Sequence, residues 1–213
     1  MSVGSPRRPR LVLIPGAPGS GKTTLGTRLS LELQLPFLAR DDVRRGLFFS
    51  NGGWTDRPGR VPTPEAADNA FSRMLEAGLT LGVSCIAEYV VDPSRLADLE
   101  RFASVADCVV IVTTCDDALE RLEARHRRDR LLNRRAVLDA LGFATIEEHT
   151  ADAVQRAASK PVLEPADLPV PSMGVDTTDG YDPSVEEVIA FVIGGGRARG
   201  SERPVFPADD VGD

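Results

Sequence analysis

The sequence predicts an α/β protein: a five-stranded parallel sheet flanked by helices, with a helical, arginine-rich lid. Three observations predict it. Short apolar runs alternate with helical-period stretches along the 213 residues, the order that builds a parallel sheet covered on both faces. One run, Asp107 to Thr113, is apolar almost throughout, as a strand buried on both sides must be. The first run, Leu11-Val12-Leu13-Ile14, passes through a glycine-rich segment into a stretch with Leu25, Leu29 and Leu33 four apart, which is strand, loop and amphipathic helix in that order.

Taken in order, residues 10–15 form the first strand and 21–34 the first helix. Leu35 to Ala39 reads as a short second strand, taken to lie next to the glycine-rich loop. A short helix then starts in Arg40-Asp41-Asp42-Val43-Arg44-Arg45, with Asp41 or Asp42 able to cap it. Residues 50–64 hold Asn-Gly-Gly, Trp54 and three prolines. A loop this long in a compact domain is usually functional or disordered. Ala67, Ala70, Phe71, Met74 and Leu75 mark a helix over 65–79, and Val83 to Ala87 a third strand closed by Glu88. Asp92-Pro93-Ser94 opens a helix running to about Ala103, and the fourth strand follows. Residues 116–141 read as helical, 145–158 as another helix, and 160–171, with four prolines, as a crossing loop. Met173 to Thr177 is the fifth strand. Val185, Val188, Ile189, Val192 and Ile193 mark a last helix, which Gly194-Gly195-Gly196 ends. The expected organisation is one domain over residues 10–193, with a lid at about 116–142, between mobile polar tails at 1–9 and 194–213.

Composition narrows the function classes. Net charge is −7 and the isoelectric point is near 5.0, which argues against a dedicated nucleic-acid binder. Cys85, Cys108 and Cys115 share no metal-ligand spacing and read as reduced thiols. No apolar run approaches the roughly 20 residues of a membrane span. The basic N-terminal stretch Pro6–Arg10 precedes only four apolar residues, too few for a secretory signal core, so the expected location is the cytoplasm.

The chemistry starts at Gly16-Ala17-Pro18-Gly19-Ser20-Gly21-Lys22-Thr23-Thr24. It fits G-x-x-x-x-G-K-[ST] at every fixed position. Glycines let successive amides point at a phosphate chain, and the helix N-terminus adds positive potential. In this pattern Lys22 reaches the β- and γ-phosphates and the Thr23 hydroxyl ligands Mg²⁺. Asp41, at a strand end, stands where an acceptor hydroxyl would approach, with helix capping as the competing role. Arg44, three residues on, shares its face. Glu88 ends an apolar strand, where an acid can reach Mg²⁺, its waters or a substrate hydroxyl. Between 116 and 135 lie seven arginines, and Arg121 and Arg125 share a helical face. Either a flap closing over a phosphate or a solvated charged helix accounts for them. Trp54 either stacks on a planar acceptor or anchors its loop. His126 and His149 have no metal-ligand spacing and read as surface or core residues.

Gly16 to Thr24 followed by Arg40-Asp-Asp-Val-Arg44 resembles the P-loop kinases of the polynucleotide-kinase and zeta-toxin type, within an AAA-like superfamily. That group is similar to gluconate kinases and chloramphenicol phosphotransferases. The resemblance implies Asp41 as general base and Arg44 as an acceptor contact. It implies that Arg121 and Arg125 are a lid pair whose second arginine stabilises the transferring phosphoryl, and that Val175-Asp-Thr-Thr178 borders the nucleotide base. It covers roughly Arg10 to Ile193; residues 48–64 match nothing in it.

The expected activity is transfer of the γ-phosphoryl of ATP (or GTP), with Mg²⁺, to a hydroxyl of a small molecule such as a nucleoside, sugar or antibiotic. Catalysis is assigned to Lys22, Asp41 and Arg125. Residues 16–24 bind the nucleotide, and Thr23 binds the metal. Arg44, Glu88 and Trp54 contact the acceptor, and Arg121, Arg125 and Arg128 form the lid. The partners are thus a nucleoside triphosphate and a small-molecule acceptor, with no membrane. The alternatives are a polynucleotide 5′-hydroxyl kinase and a nucleotide-hydrolysing switch; the second is weakened by the lack of an Asn-Lys-x-Asp guanine motif.

Overall fold

A computed structural model describes residues 8–52, 61–89, 96–130, 132, 134–159 and 164–196. The five strands are β1 (Arg10–Ile14), β2 (Phe37–Ala39), β3 (Cys85–Glu88), β4 (Asp107–Thr114) and β5 (Ser172–Asp176). All pair in parallel, in the order β2-β3-β1-β4-β5. The helices among the described residues are α1 (Lys22–Leu33), α2 (Arg40–Ser50), α3 (Pro64–Thr80), α4 (Leu96–Val105), α5 (Ala118–Arg128), α6 (Arg135–Leu141), α7 (Ile146–Ala158) and α8 (Val185–Ile193).

The core follows from the two-residue period of a strand. In β1, Leu11 and Leu13 face one layer, with Phe71, Leu75, Leu99 and Phe102 of α3 and α4. Val12 and Ile14 face the other, with Leu25 and Leu29 of α1 and Val188 and Phe191 of α8. Cys85 and Ala87 against Ile86, and Val110 and Val112 against Val109 and Ile111, divide the same way. Each fully buried Leu, Ile, Val or Phe contributes roughly 1.5–3 kcal/mol of transfer free energy. Cys85 and Cys108 are buried here, and burial pushes their thiols up to about 11 and about 12. Neither is a thiolate near neutral pH.

Three helix starts are written locally. The Thr63, Thr145 and Ser184 hydroxyls accept from Ala66, Glu148 and Glu187 amides. At Ser184 the Glu187 carboxylate returns the bond in a capping box.

The structure corrects four expectations. The strand beside β1 is β3, not β2, since β3 pairs with both. β2 has three residues and only Ala39 is fully buried, which suits a sheet edge, while the apolar strands take the centre. The helix after β2 starts at Arg40, with Ala39 as an N-cap lacking a side-chain bond. Neither Asp41 nor Asp42 caps it, and both sit in its first turn. The stretch 116–142, expected as one helical lid, holds two helices, α5 and α6. Arg8 and Pro9, placed in the tail, are tied down: Arg8 Nη2 donates to Ala103 O at 2.6 Å and Asp107 N donates to Pro9 O at 2.8 Å. Trp54 and most of both tails lie outside the described residues. No described helix is long and apolar enough to cross a membrane.

Candidate active site

The glycine-rich loop leaves the carboxyl end of β1 at the centre of the sheet, where open α/β sheets bind ligands. Gly16, Gly19 and Gly21 all have positive φ. A Cβ on Gly19 would lie 1.8 Å from the Ala118 carbonyl oxygen, so the loop packs backbone to backbone against the start of α5. Ser20, fully buried, bonds Thr113 at 2.7 Å through their hydroxyls. Thr177 Oγ1 donates to Ser20 O and Thr114 O, both at 3.1 Å. The loop is thereby held to β4 and to the end of β5.

Lys22 and Thr23 open α1. Lys22 Nζ donates to Ala17 O at 2.8 Å and stands 3.9 Å from Glu88 Oε1. Thr23 Oγ1 donates to Glu88 Oε2 at 2.6 Å. Glu88 is in register with Ile14 on one side and Ala39 on the other, so its carboxylate meets the loop's hydroxyl and ammonium. Glu88, assigned to the acceptor from sequence, is thus placed against Thr23 and Lys22 and does not line the acceptor-side pocket described below. A hydroxyl and a carboxylate are hard oxygen donors suited to Mg²⁺, which keeps most of its other positions for water and phosphate. No cluster of three metal-ligating side chains exists among the described residues.

Two strand spacings separate the ends of β1 and β2, roughly 10 Å. Across that gap α2 presents Asp41, Arg44, Arg45 and Phe48, the i, i+3, i+4, i+7 face of one helix, into a cavity of about 160 Å³. Val61, Pro62, Arg125, His126, Asp129, Leu132, Val137, Leu141 and His149 complete its wall. Arg40 does not line the cavity; it pairs with Asp68 of α3 and stands 3.7 Å from Asp41 Oδ1, fixing the first turn of α2. Asp42 is outside as well, 3.1 Å from Arg45. Of the motif's two aspartates, only Asp41 faces the pocket. Arg45 also reaches Asp129 at 3.4 Å, tying α2 to the lid. Burial pulls the Arg44 guanidinium down from its ordinary value, with Asp41 opposing.

Arg121, Arg125 and Arg128 differ in their surroundings. Arg121 donates to the Thr177 and Thr178 carbonyls at 3.0 and 2.7 Å and pairs with Asp117 at 2.8 Å. It anchors α5 to the segment after β5. Arg125, one turn on, is exposed and lines the pocket; Arg128 is exposed and does not.

His126 and His149 were not expected here. Their rings lie 5.1 Å apart, and Phe143 meets His149 edge-on at 4.9 Å. Burial, then His149 and Arg125, pulls His126 down to about 4. Burial, then Arg156, lowers His149 as well. Both are neutral near pH 7. Twenty-three residues separate them in sequence, so no local pattern announces the pair.

The family model described as an AAA domain matches residues 11–144. No curated protein sequence matches the chain. Among solved structures, the chain is similar to a kinase candidate from Chloroflexus aurantiacus J-10-fl, with 21% identity, a TM-score of 0.65 and coverage of 89% of this chain and 99% of that one. It is also similar to a sugar kinase from Janibacter sp. HTCC2649, with 17% identity, a TM-score of 0.51 and coverage of 87% and 95%. At these identities the likeness is one of fold.

Proposed function

The chain belongs to the AAA-domain family and has the P-loop kinase fold, and from these premises we propose that it is a kinase moving the γ-phosphoryl of ATP or GTP to a hydroxyl of a small molecule. One observation carries the reading: a single face of α2 presents Asp41 and Arg44, with Arg125 of α5, to one pocket, at the end of a strand about two strand spacings from the one that carries the phosphate loop. A carboxylate and two cations around one cavity are what transfer to a hydroxyl requires, because this chemistry is mostly positioning and charge neutralisation.

In this reading the amides of residues 16–24 and the Lys22 ammonium hold the phosphate chain. Mg²⁺, held by Thr23 with Glu88 nearby, would supply charge neutralisation. Asp41 orients the acceptor hydroxyl and takes its proton. The acceptor oxygen forms a bond to the γ-phosphorus as the bond to the bridging β–γ oxygen breaks, and the nucleoside diphosphate leaves with that electron pair. Arg125 offsets charge on the transferring oxygens. Arg121, held by backbone carbonyls, keeps α5 where Arg125 can reach. The cavity's size, about 160 Å³, supports a small acceptor over a polynucleotide.

The test is a transfer screen over hydroxyl compounds and a 5′-hydroxyl oligonucleotide, reading product mass, with Asp41→Asn beside the parent. The variant should lose roughly 10²–10⁴ in kcat, the range for a positioned general base, while binding Mg-ATP with parental affinity. Transfer by Asp41→Asn at the parental rate refutes the assignment of the base.

A further inference from the structure

The pocket's lining says what kind of acceptor it takes. This inference rests on the kinase reading above. Arg44 is half-buried and lines the cavity. It makes no hydrogen bond or ion pair among the described residues. Its neighbours do not neutralise it: Asp41 and Asp68 attract while Arg40 and Arg156 repel, and burial outweighs them all. A guanidinium cannot relieve this by giving up its proton. The other pocket cation on α2, Arg45, is already paired with Asp42 and Asp129. Arg44 is therefore a desolvated fork of donors facing a cavity, and an oxyanion is the group it fits.

Six residues of the same wall are apolar: Phe48, Val61, Pro62, Leu132, Val137 and Leu141. Phe48 and Val137 are 5% and 4% exposed, and Val61 and Leu141 line the same cavity. The two imidazoles are neutral and lie against each other, their ring centroids 5.1 Å apart. Asp129 is occupied by Arg45 and by the Leu132 amide at 3.1 Å. A polyol would lay hydroxyls against carbon with few partners, and each unmatched hydroxyl weakens binding. A cavity of about 160 Å³ is close to the ~150 Å³ that admits a benzene-sized guest.

We infer that the acceptor is a compact hydroxyl compound carrying one oxyanion, carboxylate or phosphate, on an apolar body: the oxyanion on Arg44, the body against Phe48 and Val137, the hydroxyl at Asp41.

The experiment measures Mg-ATP-dependent transfer to six probes: 4-(hydroxymethyl)benzoate, 4-(hydroxymethyl)phenyl phosphate, benzyl alcohol, glycerate, glucose and a 5′-hydroxyl oligodeoxynucleotide. One of the first two should lead, and which one leads tells carboxylate from phosphate. Arg44→Ala should cut kcat/KM for the leading probe on the order of 100-fold, mostly through KM, and cut it far less for benzyl alcohol, which brings no oxyanion. Arg44→Lys should recover part of the loss, with melting curves showing that both variants fold. A lead by benzyl alcohol, glycerate, glucose or the oligonucleotide overturns the inference while the kinase reading stands. So does an Arg44→Ala variant that keeps the parental order. If the chain fails to bind Mg-ATP at all, the kinase reading falls, and this inference with it.

Discussion

His126 offers a prediction with a magnitude. It is 7% exposed, and burial beside His149 and Arg125 pulls it down to about 4. In the unfolded chain it titrates near 6.5. Its folded-state value is the lower one, so between those two values the unfolded chain binds more protons. Its contribution is therefore present above pH 6.5 and is lost as pH falls toward 4. Linkage gives a loss of about 2 kcal/mol between pH 7 and 5, and about 3 kcal/mol by pH 4. For a chain of this length, 2 kcal/mol is about 4–8 °C of melting temperature. Carboxylates also titrate in this range, so the measurement is a difference. Melting of the parent and of His126→Phe is followed from pH 7.5 to 4.5. The parent should lose about 4–8 °C more than the variant between pH 7 and 5. His149, lowered by the same burial, adds to the parent's slope and remains in the variant, so the two curves stay roughly parallel apart from the His126 step. Superimposable pH dependences would refute the claim that His126 is held neutral inside this wall.

The remaining predictions concern the lid and the first helix. Arg125→Ala should lower kcat about 10³-fold, the lower range for an arginine aimed at a transferring phosphoryl, with little change in melting temperature. Arg121→Ala should lower the melting temperature and weaken nucleotide binding, because it releases two backbone carbonyls and Asp117; steady-state kinetics and melting curves separate the two. Gly26→Ala in α1 would ordinarily gain about 1 kcal/mol of helix propensity. Here the new Cβ would sit 2.4 Å from Phe37 Cε2, and overpacking of roughly 1–3 kcal/mol should turn the gain into a net loss that Phe37→Leu recovers in denaturant titrations.

Legibility in the sequence tracks how local the cause is. The β1–loop–α1 unit is visible because its glycines, Lys22 and Thr23 are adjacent and each answers to a backbone or phosphate requirement. Asp41 and Arg44 are visible together because three residues on a helix share a face, and the same spacing runs on to Arg45 and Phe48. The choice of Asp41 over Asp42 is not visible, since it depends on Arg40 pairing with Asp68 in another helix. Arg121 and Arg125 look alike in sequence. Only the segment after β5 separates them, by offering Arg121 two carbonyls.

The sequence by itself determined the class of the sheet, the phosphate loop and the helix face that carries Asp41 and Arg44. These depend on periodicity and on neighbours within a few residues. Only the tertiary structure decided that β3 lies between β1 and β2, and hence that Glu88 meets Thr23. It also decided that His126 and His149 share a wall, and that Arg44 is half-buried in the same cavity without an ion-pair partner among the described residues. Strand order and pocket walls are set by which distant surfaces bury best against one another, and no local pattern records that competition.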